Sequence, residues 1–547
     1  MKGLDKFFRR FAYAGLAVFM ALTAAPAQAA PEAAEDGTAP SPAAVKLSGS
    51  EETGVRHITV LHVNDVHGTV DPLLAPEISG VSNVGGLAWL ASLAKKVRAE
   101  NPHSTIFLNG GDLAEGSMFS YLSRGVAYCS AMSAMHFDLI TLGNHDFAWG
   151  QQDLHNMIKA LKTPVVVGNV QYGSTGQTLA DVTPYRILEV DGVKIGVLGL
   201  DTPNIRHFIA EFKLKDLIFR ESADTVRWYM PLMRQAGADI IVVLSHIGYE
   251  EDLKLAKEVP GIDLIVGAHS HTALEHGTKV NDTLVVQAGS LTKYLGKVDM
   301  TVAGEPGAMK VADIKAELIP VICADLEPDK EVEAILKPYR EQADKIGEKV
   351  CGEASEDVLH AHREAAKLNQ IHADSILQAA GEKRPVLPGF DEPGPDKPLF
   401  GICNSRSMRG NLHKGAIKYR ELYSSLPFTE ENYVTMRVTG QAVIDEIEDD
   451  LRDKATELAV PCGLTYKYSA SRPEGRRLVE IKLADGSALD PKAEYLIVSN
   501  ETMSRKPAFK NAKDKRVLGP VQPIYFEAVK KLSPLRNNPD NRVERLP

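Results

Sequence analysis

The sequence is poor in cysteine, and its one marked N-terminal apolar segment is too short to cross a membrane. Only 5 of the 547 residues are cysteines, and the odd number leaves at least one thiol unpaired. Their scattered positions exclude a disulfide framework, and none is spaced for a metal site. Cys403 follows the strand-like segment 399–402 and is predicted to lie in a core. The apolar segment 12–25 has about 14 residues, fewer than a bilayer span requires.

An excess of positive charge is also missing. The net charge of −10 argues against nucleic acid or an anionic membrane as the main partner. An anionic substrate would still need a local basic pocket. Residues 350–547 also show no internal repeat at solenoid periods. A chain of 547 residues exceeds what one hydrophobic core accommodates, which indicates two or three domains.

The N-terminus has the pattern of an export signal. Four basic residues precede the apolar segment, and Ala27-Gln28-Ala29 offers a small-x-small cleavage site. We therefore predict a signal peptide over 1–29, cleaved after about Ala29, and a periplasmic or secreted mature protein without stable membrane insertion. A retained anchor is the alternative. Residues 30–54 are rich in Ala, Pro, Glu and Ser and are predicted to form a disordered leader.

The remaining chain divides into two predicted domains. Strands alternate with helical stretches over 55–326, which indicates an α/β domain. Residues 327–349 are charged and mostly helix-forming, and they are predicted to be a helical linker. Residues 350–547 form a second domain of mixed character, with an exposed proline-rich loop at 384–398 and a hairpin made of 465–468 and 478–483.

Five polar clusters occur along the first domain: Asn64-Asp65-Val66-His67-Gly68, Gly110-Gly111-Asp112, Gly143-Asn144-His145-Asp146, Ser245-His246 and Gly267-Ala268-His269-Ser270-His271. Four of them directly follow apolar, β-branched runs at 58–61, 105–108, 240–244 and 264–266. A similar run, 139–142, leads into the remaining cluster. Parallel strands buried on both faces have this composition, and ligands bind where such strands end. The clusters are therefore predicted to converge on one point.

The residue types in these clusters predict a site for two divalent ions. Asp112 can bridge both ions. Asp65, His67 and His271 can complete one site, and Asn144, His246 and His269 the other. Two ions roughly 3.5–4 Å apart would clamp a phosphoryl group and acidify the attacking water. Mixed His, Asp and Asn ligands suit zinc, manganese or a related ion better than magnesium alone. A single His-x-His is more often a surface or core feature, whereas five ordered clusters favour a metal site.

At these residues the chain resembles the calcineurin-like metallophosphoesterases. More narrowly, it resembles the two-domain 5′-nucleotidase family, which includes UDP-sugar hydrolases and cyclic-nucleotide phosphodiesterases. The family motifs Leu-His-x-Asn-Asp-x-His-Gly, Gly-Asn-His and Gly-x-His-x-His match 61–68, 143–145 and 267–271. The resemblance covers about residues 56–505. It implies an α/β fold: an N-terminal calcineurin-like sandwich of two mixed sheets flanked by helices, then a C-terminal α+β 5′-nucleotidase-type domain.

The resemblance also implies roles for individual residues. His145 corresponds to the family's catalytic histidine. In the second domain, Arg409 is expected to hold the substrate phosphate, bidentate where the geometry allows. Asn404 is expected to contact the base, and Phe428 to form one face of a sandwich around it.

Three departures from the family pattern bear on this transfer. Ser405, Arg406 and Ser407 replace glycines, and side chains there would either crowd a base or, through Arg406, offer an extra cation to a longer phosphate chain. The family's Gly-Gly-Asp-Gly-aromatic loop is replaced by 503–507, which leaves Phe509 and Tyr525 as candidate second rings. The aspartate that pairs with the catalytic histidine is Ala148 here. We predict that Glu115 supplies the missing carboxylate to His145; the alternative is a solvent-facing loop residue.

The favoured interpretation is an exported dinuclear phosphoesterase that converts 5′-nucleotides to nucleoside and phosphate. The first alternative keeps the chemistry and changes the substrate to a UDP-sugar, a cyclic nucleotide or a non-nucleotide phosphoester. The second alternative, which Ala148 favours and the complete ligand set opposes, is a nucleotide-binding protein with little turnover.

Overall fold

The structure is a computed structural model that describes residues 45–47, 54–75, 78, 80, 83–209, 211–305, 307–382, 397–429 and 431–547. The predicted signal peptide, most of the predicted leader and most of the proline-rich loop lie outside these residues. In the part of the chain described, no helix combines the length and apolarity needed to cross a bilayer.

Two mixed seven-stranded sheets form the first half of the described chain. In spatial order, one sheet contains Val45–Leu47, Tyr185–Val190, Val193–Asp201, Ile240–His246, Leu264–Val266, Thr283–Val286 and Thr278–Val280. The other contains Lys310–Pro320, Tyr294–Ala303, Val55–Val63, Thr105–Asn109, Leu139–Ile140, Val165–Val166 and Val182–Thr183. A small separate ribbon pairs Val170–Tyr172 with Leu217–Phe219.

The two sheets pack face to face. Ile58, Ile106, Val197 and Val242, two from each sheet, belong to one buried apolar cluster between them. Helices cover the outer faces: Leu87–Arg98, Met118–Leu122, Val126–Met132 and Gln151–Leu161 on one side, and Ser222–Gln235 and Tyr249–Glu258 on the other. Each central strand is therefore buried on both faces, which explains its continuous apolar sequence. The predicted strand 139–142 is shorter than expected, because after Ile140 the chain turns into the 3-10 helix Asn144–Phe147.

The helix Lys330–Gly347 connects the two halves of the chain. Asp329 caps its N-terminus by accepting hydrogen bonds from the backbone N–H groups of Glu331 and Val332. Val332 and Leu336 are fully buried in the core of the first half, so the helix is anchored there, and Pro338 lies inside it. The connector is thus packed against the first domain along part of its length.

The second half is an α+β unit. Its five-stranded sheet has the order Ala459–Cys462, Phe400–Asn404, Glu494–Asn500, Asn432–Thr439 and Lys513–Pro520. Helices Lys367–Gly381 and Val521–Leu532 cover one face, and Gly440–Asp450 covers the other. Smaller elements are a sheet of Leu478–Leu483, Leu464–Ser469 and Val543–Leu546, a ribbon of Val350–Ala354 with Gly415–Lys418, and the helix Tyr419–Ser425. The predicted fold class and the predicted hairpin are both confirmed.

The five cysteines all lie within the described residues, and none forms a disulfide. Cys403 is fully buried in the core of the second domain, which confirms the sequence prediction. The stability of both domains therefore depends on apolar burial rather than on cross-links.

Candidate metal centre and interdomain cavity

The polar clusters meet where parallel strands end. Val55–Val63 and Thr105–Asn109 pair in parallel in one sheet, and Ile240–His246 and Leu264–Val266 in the other. One ligand atom from each member of two groups lies within 4.8 Å of the others in its group: Asp65, His67, Asp112 and His271, and separately Asp112, His246 and His269. Asp112 belongs to both groups, as a shared ligand would. The structure therefore has a candidate His/Asp metal site.

Short distances between ligand atoms define the centre. His246 Nε2 lies 3.2 Å from Asp112 Oδ2, and His271 Nε2 lies 3.3 Å from Asp65 Oδ1. The Nε2 atoms of His67 and His271 are only 3.2 Å apart. Imidazole nitrogens and carboxylates gathered this closely can point their lone pairs at bound cations.

Backbone carbonyls orient two of the histidines. His67 Nδ1 lies 2.7 Å from the Glu115 carbonyl oxygen, and His246 Nδ1 lies 2.7 Å from the Gly110 carbonyl oxygen. When Nδ1 donates to these carbonyls, Nε2 carries the free lone pair that faces the centre. Burial lowers the pKa of His67, His269 and His271, which favours the neutral form that binds metals.

Asn144 provides a test of whether this site fits a cation. It is fully buried, and neither of its side-chain polar atoms has a hydrogen-bond partner among the described residues. An unpaired buried amide costs about 1–3 kcal/mol, so an unsatisfied Oδ1 beside the cluster fits a ligand atom. A Cβ at Gly143 would lie 2.4 Å from Asp112 Oδ1 and from His246 Cε1. The space between these ligands therefore requires glycine, and the donor set suits a divalent ion.

Backbone strain is concentrated at the same residues. Five predicted ligands have left-handed φ values: 50° for Asp65, 48° for His67, 54° for Asp112, 72° for His269 and 58° for His271. A non-glycine residue in this region costs on the order of 1–3 kcal/mol, and such strain clusters at functional sites. No sequence pattern predicted these conformations.

Two residues without a predicted role hold the ligand loops together. The Asp146 carboxylate accepts hydrogen bonds from the backbone N–H groups of Gly143, Asp112 and Leu113, at 2.9, 3.0 and 2.8 Å. Burial, followed by the charge of Asp112, raises the pKa of Asp146 to about 7. Asn64 donates to Asp65 Oδ2 at 2.6 Å and accepts from the Ala288 N–H at 2.8 Å. The sequence signal that could have identified these two residues is their position next to predicted ligands, Asp146 after Asn144-His145 and Asn64 before Asp65.

Glu115 contacts His145. Its Oε2 atom lies 2.5 Å from His145 Nδ1, and the two side chains are 11% and 15% exposed. Ala148, where the resembling family has the partner carboxylate, is buried and offers no acceptor in its side chain. The position of Glu115 is thus compatible with the predicted role, which stays a prediction.

A cavity of about 590 Å³ lies between the two domains beside the metal centre. Its lining includes four predicted ligands and all four predicted substrate contacts: Asp112, Asn144, His269, His271, Asn404, Arg406, Arg409 and Phe428. Arg406 Nη2 donates to the His269 carbonyl oxygen at 3.1 Å, and Arg409 Nη1 lies 3.3 Å from both ring nitrogens of His271. The second domain therefore presents two cations to the candidate metal ligands.

Two of the predicted base contacts are already engaged. Asn404 Oδ1 accepts from the Arg406 N–H at 2.7 Å, and its Nδ2 donates to Glu457 Oε2 at 2.6 Å. The Phe428 ring stacks on His145, with centroids 5.4 Å apart and planes at 22°, and the Arg409 guanidinium lies 5.2 Å from its centroid. Both side chains line the cavity, but each already contacts other protein groups at the atoms that would contact a base.

The prediction that Phe509 or Tyr525 supplies a second ring for base stacking is wrong. Phe509 is 3% exposed and packs in the core beside the helix Gly440–Asp450. Tyr525 is fully buried, and its hydroxyl lies 3.0 Å from Ser425 Oγ. The segment that replaces the family loop is bound to the domain body, because Lys506 forms ion pairs with Glu446, Asp450 and Glu457. Sequence alone could not place these rings, because an aromatic residue fills a core as readily as a binding site.

Comparisons with known proteins agree with this architecture. The family model for calcineurin-like phosphoesterases matches residues 58–273, and the model for the 5′-nucleotidase C-terminal domain matches residues 350–508. The chain is similar in fold to the crystal structure of a 5′-nucleotidase precursor from Thermus thermophilus, with a TM-score of 0.75 and 24% identity, covering 90% of this chain and 99% of that one.

Two curated relatives differ in how much of them the chain spans. It is 26% identical over 538 residues to a 5′-nucleotidase-related protein of Glossina morsitans morsitans, covering 89% of this chain and 94% of the relative. It is 25% identical over 532 residues to the trifunctional nucleotide phosphoesterase protein YfkN of Bacillus subtilis, covering 88% of this chain but only 34% of that protein. The chain thus spans about a third of YfkN.

The two matched models occupy the two folded halves in the order of the resembling family, and the candidate metal ligands lie in the first of them. The chain therefore belongs to the two-domain family in which a calcineurin-like phosphoesterase domain precedes a 5′-nucleotidase C-terminal domain.

Proposed function

We propose that the protein hydrolyses phosphoesters of small molecules, with nucleoside 5′-monophosphates as the first substrates, yielding nucleoside and phosphate. The observation that carries the proposal is the cavity in which four candidate metal ligands of the first domain face Arg406 and Arg409 of the second. Ligands for cations on one side and two guanidinium groups on the other suit a dianionic phosphoryl group better than a neutral or cationic substrate.

The ligand assignment follows the two groups of donors. Asp65, His67 and His271 would hold one divalent ion with Asp112, and Asn144, His246 and His269 would hold the other with Asp112. When bound, such ions supply Lewis acidity and lower the pKa of a coordinated water. Zinc and manganese both suit these donors.

Arg409 is the proposed phosphate-holding residue. Burial, followed by the nearby charge of Arg406, lowers its pKa to about 9, which still leaves it cationic at neutral pH. Its guanidinium lies beside His271, where it can donate to phosphoryl oxygens while Arg406 extends the positive surface toward His269. Arg406 would also serve a second phosphate in a longer substrate.

His145 is the proposed proton donor to the leaving oxygen. Its Nδ1 atom contacts Glu115, which leaves the other ring nitrogen free to act on the substrate. Glu115 would fix the orientation and tautomer of the ring. This contact also counts against the alternative of a binding protein with little turnover, since the ring does not lack a carboxylate partner.

The second domain favours a rival substrate within the same chemistry. Asn404 is bonded to Glu457, Phe428 lies on His145, and the segment that would carry a second ring is bound by Lys506. A UDP-sugar, a cyclic nucleotide or a non-nucleotide phosphoester could therefore be the better substrate. The predicted signal peptide would place any of these reactions in the periplasm or outside the cell.

Phosphate release from a panel of phosphoesters tests the proposal. The full chain is incubated with nucleoside monophosphates, a UDP-sugar, a cyclic nucleotide and sugar phosphates, each with manganese, zinc or cobalt and with a chelator control. We expect metal-dependent turnover with nucleoside monophosphates among the best substrates. Tight nucleotide binding without turnover under any metal would support the binding protein instead, and turnover restricted to sugar phosphates would support the non-nucleotide alternative.

A further inference from the structure

Two phenylalanines of the first domain are exposed inside the interdomain cavity. Phe208 is 38% exposed and Phe212 is 78% exposed, and both belong to the cavity lining. Among the described lining residues, Phe428 is the one other phenylalanine, tyrosine or tryptophan ring, and it stacks on His145. Large apolar side chains left open in a concave site indicate a surface that a ligand covers.

The segment that carries the two rings is anchored in the core of the first domain. Ile205, Ile209 and Leu214 are 0%, 6% and 0% exposed and belong to the core of the first domain. Gln151 Nε2 also donates to the Lys215 carbonyl oxygen at 2.8 Å. The described apolar residues of this segment therefore divide into a buried set, which fixes the backbone, and the two exposed phenylalanines. The two phenylalanines are therefore exposed on a segment whose backbone is fixed by packing.

Phe208 is next to the metal centre. Its ring meets the ring of His269 edge to face, with centroids 5.0 Å apart and planes at 81°. The carbonyl oxygen of His269 also accepts the hydrogen bond from Arg406. A phosphoryl group held between the metal ligands and the arginines would therefore have Phe208 within reach of the group esterified to it. Phe212 belongs to the lining of the same cavity.

We propose that Phe208 and Phe212, here named the aromatic ledge, bind the planar aromatic part of the leaving group, a nucleobase, while its phosphate lies at the metal centre. The inference rests on the proposed function and adds a specificity surface in the first domain. It places base stacking on the domain that carries the metal ligands, in place of the second-domain loop that this chain lacks. Stacking on a ring accepts every base, so the ledge selects for a base without selecting which one.

The test compares AMP with ribose 5-phosphate, which carries the same phosphorylated ribose carbon but no base. Phe208→Ala and Phe212→Ala should each lower the ratio of kcat/KM for AMP to kcat/KM for ribose 5-phosphate by about 5- to 100-fold. Phe212→Trp retains a stacking ring and should keep the ratio. Trp228→Ala is the matched control, because Trp228 is 71% exposed but lies outside the cavity lining; its ratio should equal that of the wild type. Metal content is measured for every variant, since Phe208 contacts His269.

The outcomes separate the two proposals. Alanine variants that hydrolyse AMP and ribose 5-phosphate in the wild-type ratio overturn the aromatic ledge and leave phosphoester hydrolysis intact. Equal losses for both substrates, with normal metal content, overturn it as well, because they reveal a structural role. A wild-type protein that hydrolyses neither ester, with any metal, overturns the proposed function and the ledge with it.

Discussion

Replacing Glu115 by glutamine removes a charge from the partner of His145 while retaining size and hydrogen-bonding capacity. Glu115 Oε2 lies 2.5 Å from His145 Nδ1. The backbone carbonyl of Glu115, which orients the predicted ligand His67, is left in place by the substitution. The change therefore acts on the proposed proton donor and should spare the metal site.

The size of the effect follows from the contact. A hydrogen bond to a charged group contributes about 1.5–3 kcal/mol, and one between neutral groups about 1 kcal/mol. The pair is 11% and 15% exposed, so solvent screens it only in part. A loss of about 1–2 kcal/mol of transition-state stabilisation corresponds to about a 5- to 30-fold lower rate. Because the contact supports the leaving step rather than substrate binding, the loss should fall on kcat, with KM nearly unchanged.

Steady-state kinetics on a hydrolysed nucleotide, together with metal analysis of the same preparations, measure this effect. Asp181→Asn is the matched control, because Asp181 Oδ2 lies 3.5 Å from His155 Nδ1 in an exposed pair outside the described lining of the cavity. It should have wild-type kinetics. A Glu115→Gln enzyme with wild-type kcat and full metal content would refute the assignment and leave Glu115 as a loop residue.

Three further changes test other parts of the structure. Asp112→Asn should lower the bound metal measured by elemental analysis and reduce turnover by more than about 100-fold, since the loss of even an indirect ligand partner lowers metal affinity or activity about 10- to 100-fold. His276→Ala is the control, because the His276 side chain is 77% exposed. Full metal content in Asp112→Asn would contradict the role of Asp112 as a shared ligand. Arg409→Ala should lower kcat/KM by about 10- to 150-fold through the loss of about 1.5–3 kcal/mol of charge-assisted hydrogen bonding, and Arg409→Lys should retain part of the wild-type kcat/KM. An unchanged kcat/KM in Arg409→Ala would mean that the phosphate binds elsewhere. Burial lowers the pKa of His372 to about 4 from 6.5, so the unfolded chain binds more protons and the unfolding free energy falls as pH drops below 6.5. In urea titrations, His372→Leu should abolish about 2 kcal/mol of the decrease in unfolding free energy between pH 7 and pH 5. Parallel pH profiles of the wild type and the variant would refute this prediction.

Much of the first domain could be predicted from local sequence. A strand buried on both faces must be apolar along its whole length, and Ile240–His246 has that composition. A helix with one buried face repeats its apolar residues every three or four positions, as in Leu87–Arg98. Most of the polar clusters follow such strands directly, and their convergence where parallel strands of the two sheets end followed from topology rules rather than from side-chain detail.

Only the tertiary structure determined the backbone conformation of the candidate ligands, the contacts between residues far apart in sequence and the exposure of the aromatic rings. The left-handed backbone at Asp65 and His271 is maintained by surrounding hydrogen bonds and packing, and no local pattern encodes it. Glu115 lies 30 residues from His145 along the chain, and only the fold brings them to 2.5 Å. The same holds for the aromatic rings. Phe509 and Phe212 are the same residue type, but packing against the core leaves Phe509 only 3% exposed, whereas Phe212 is 78% exposed in the lining of the interdomain cavity. Residue type fixes what chemistry a side chain can perform, whereas burial and neighbours, which depend on the whole chain, fix whether it meets a substrate.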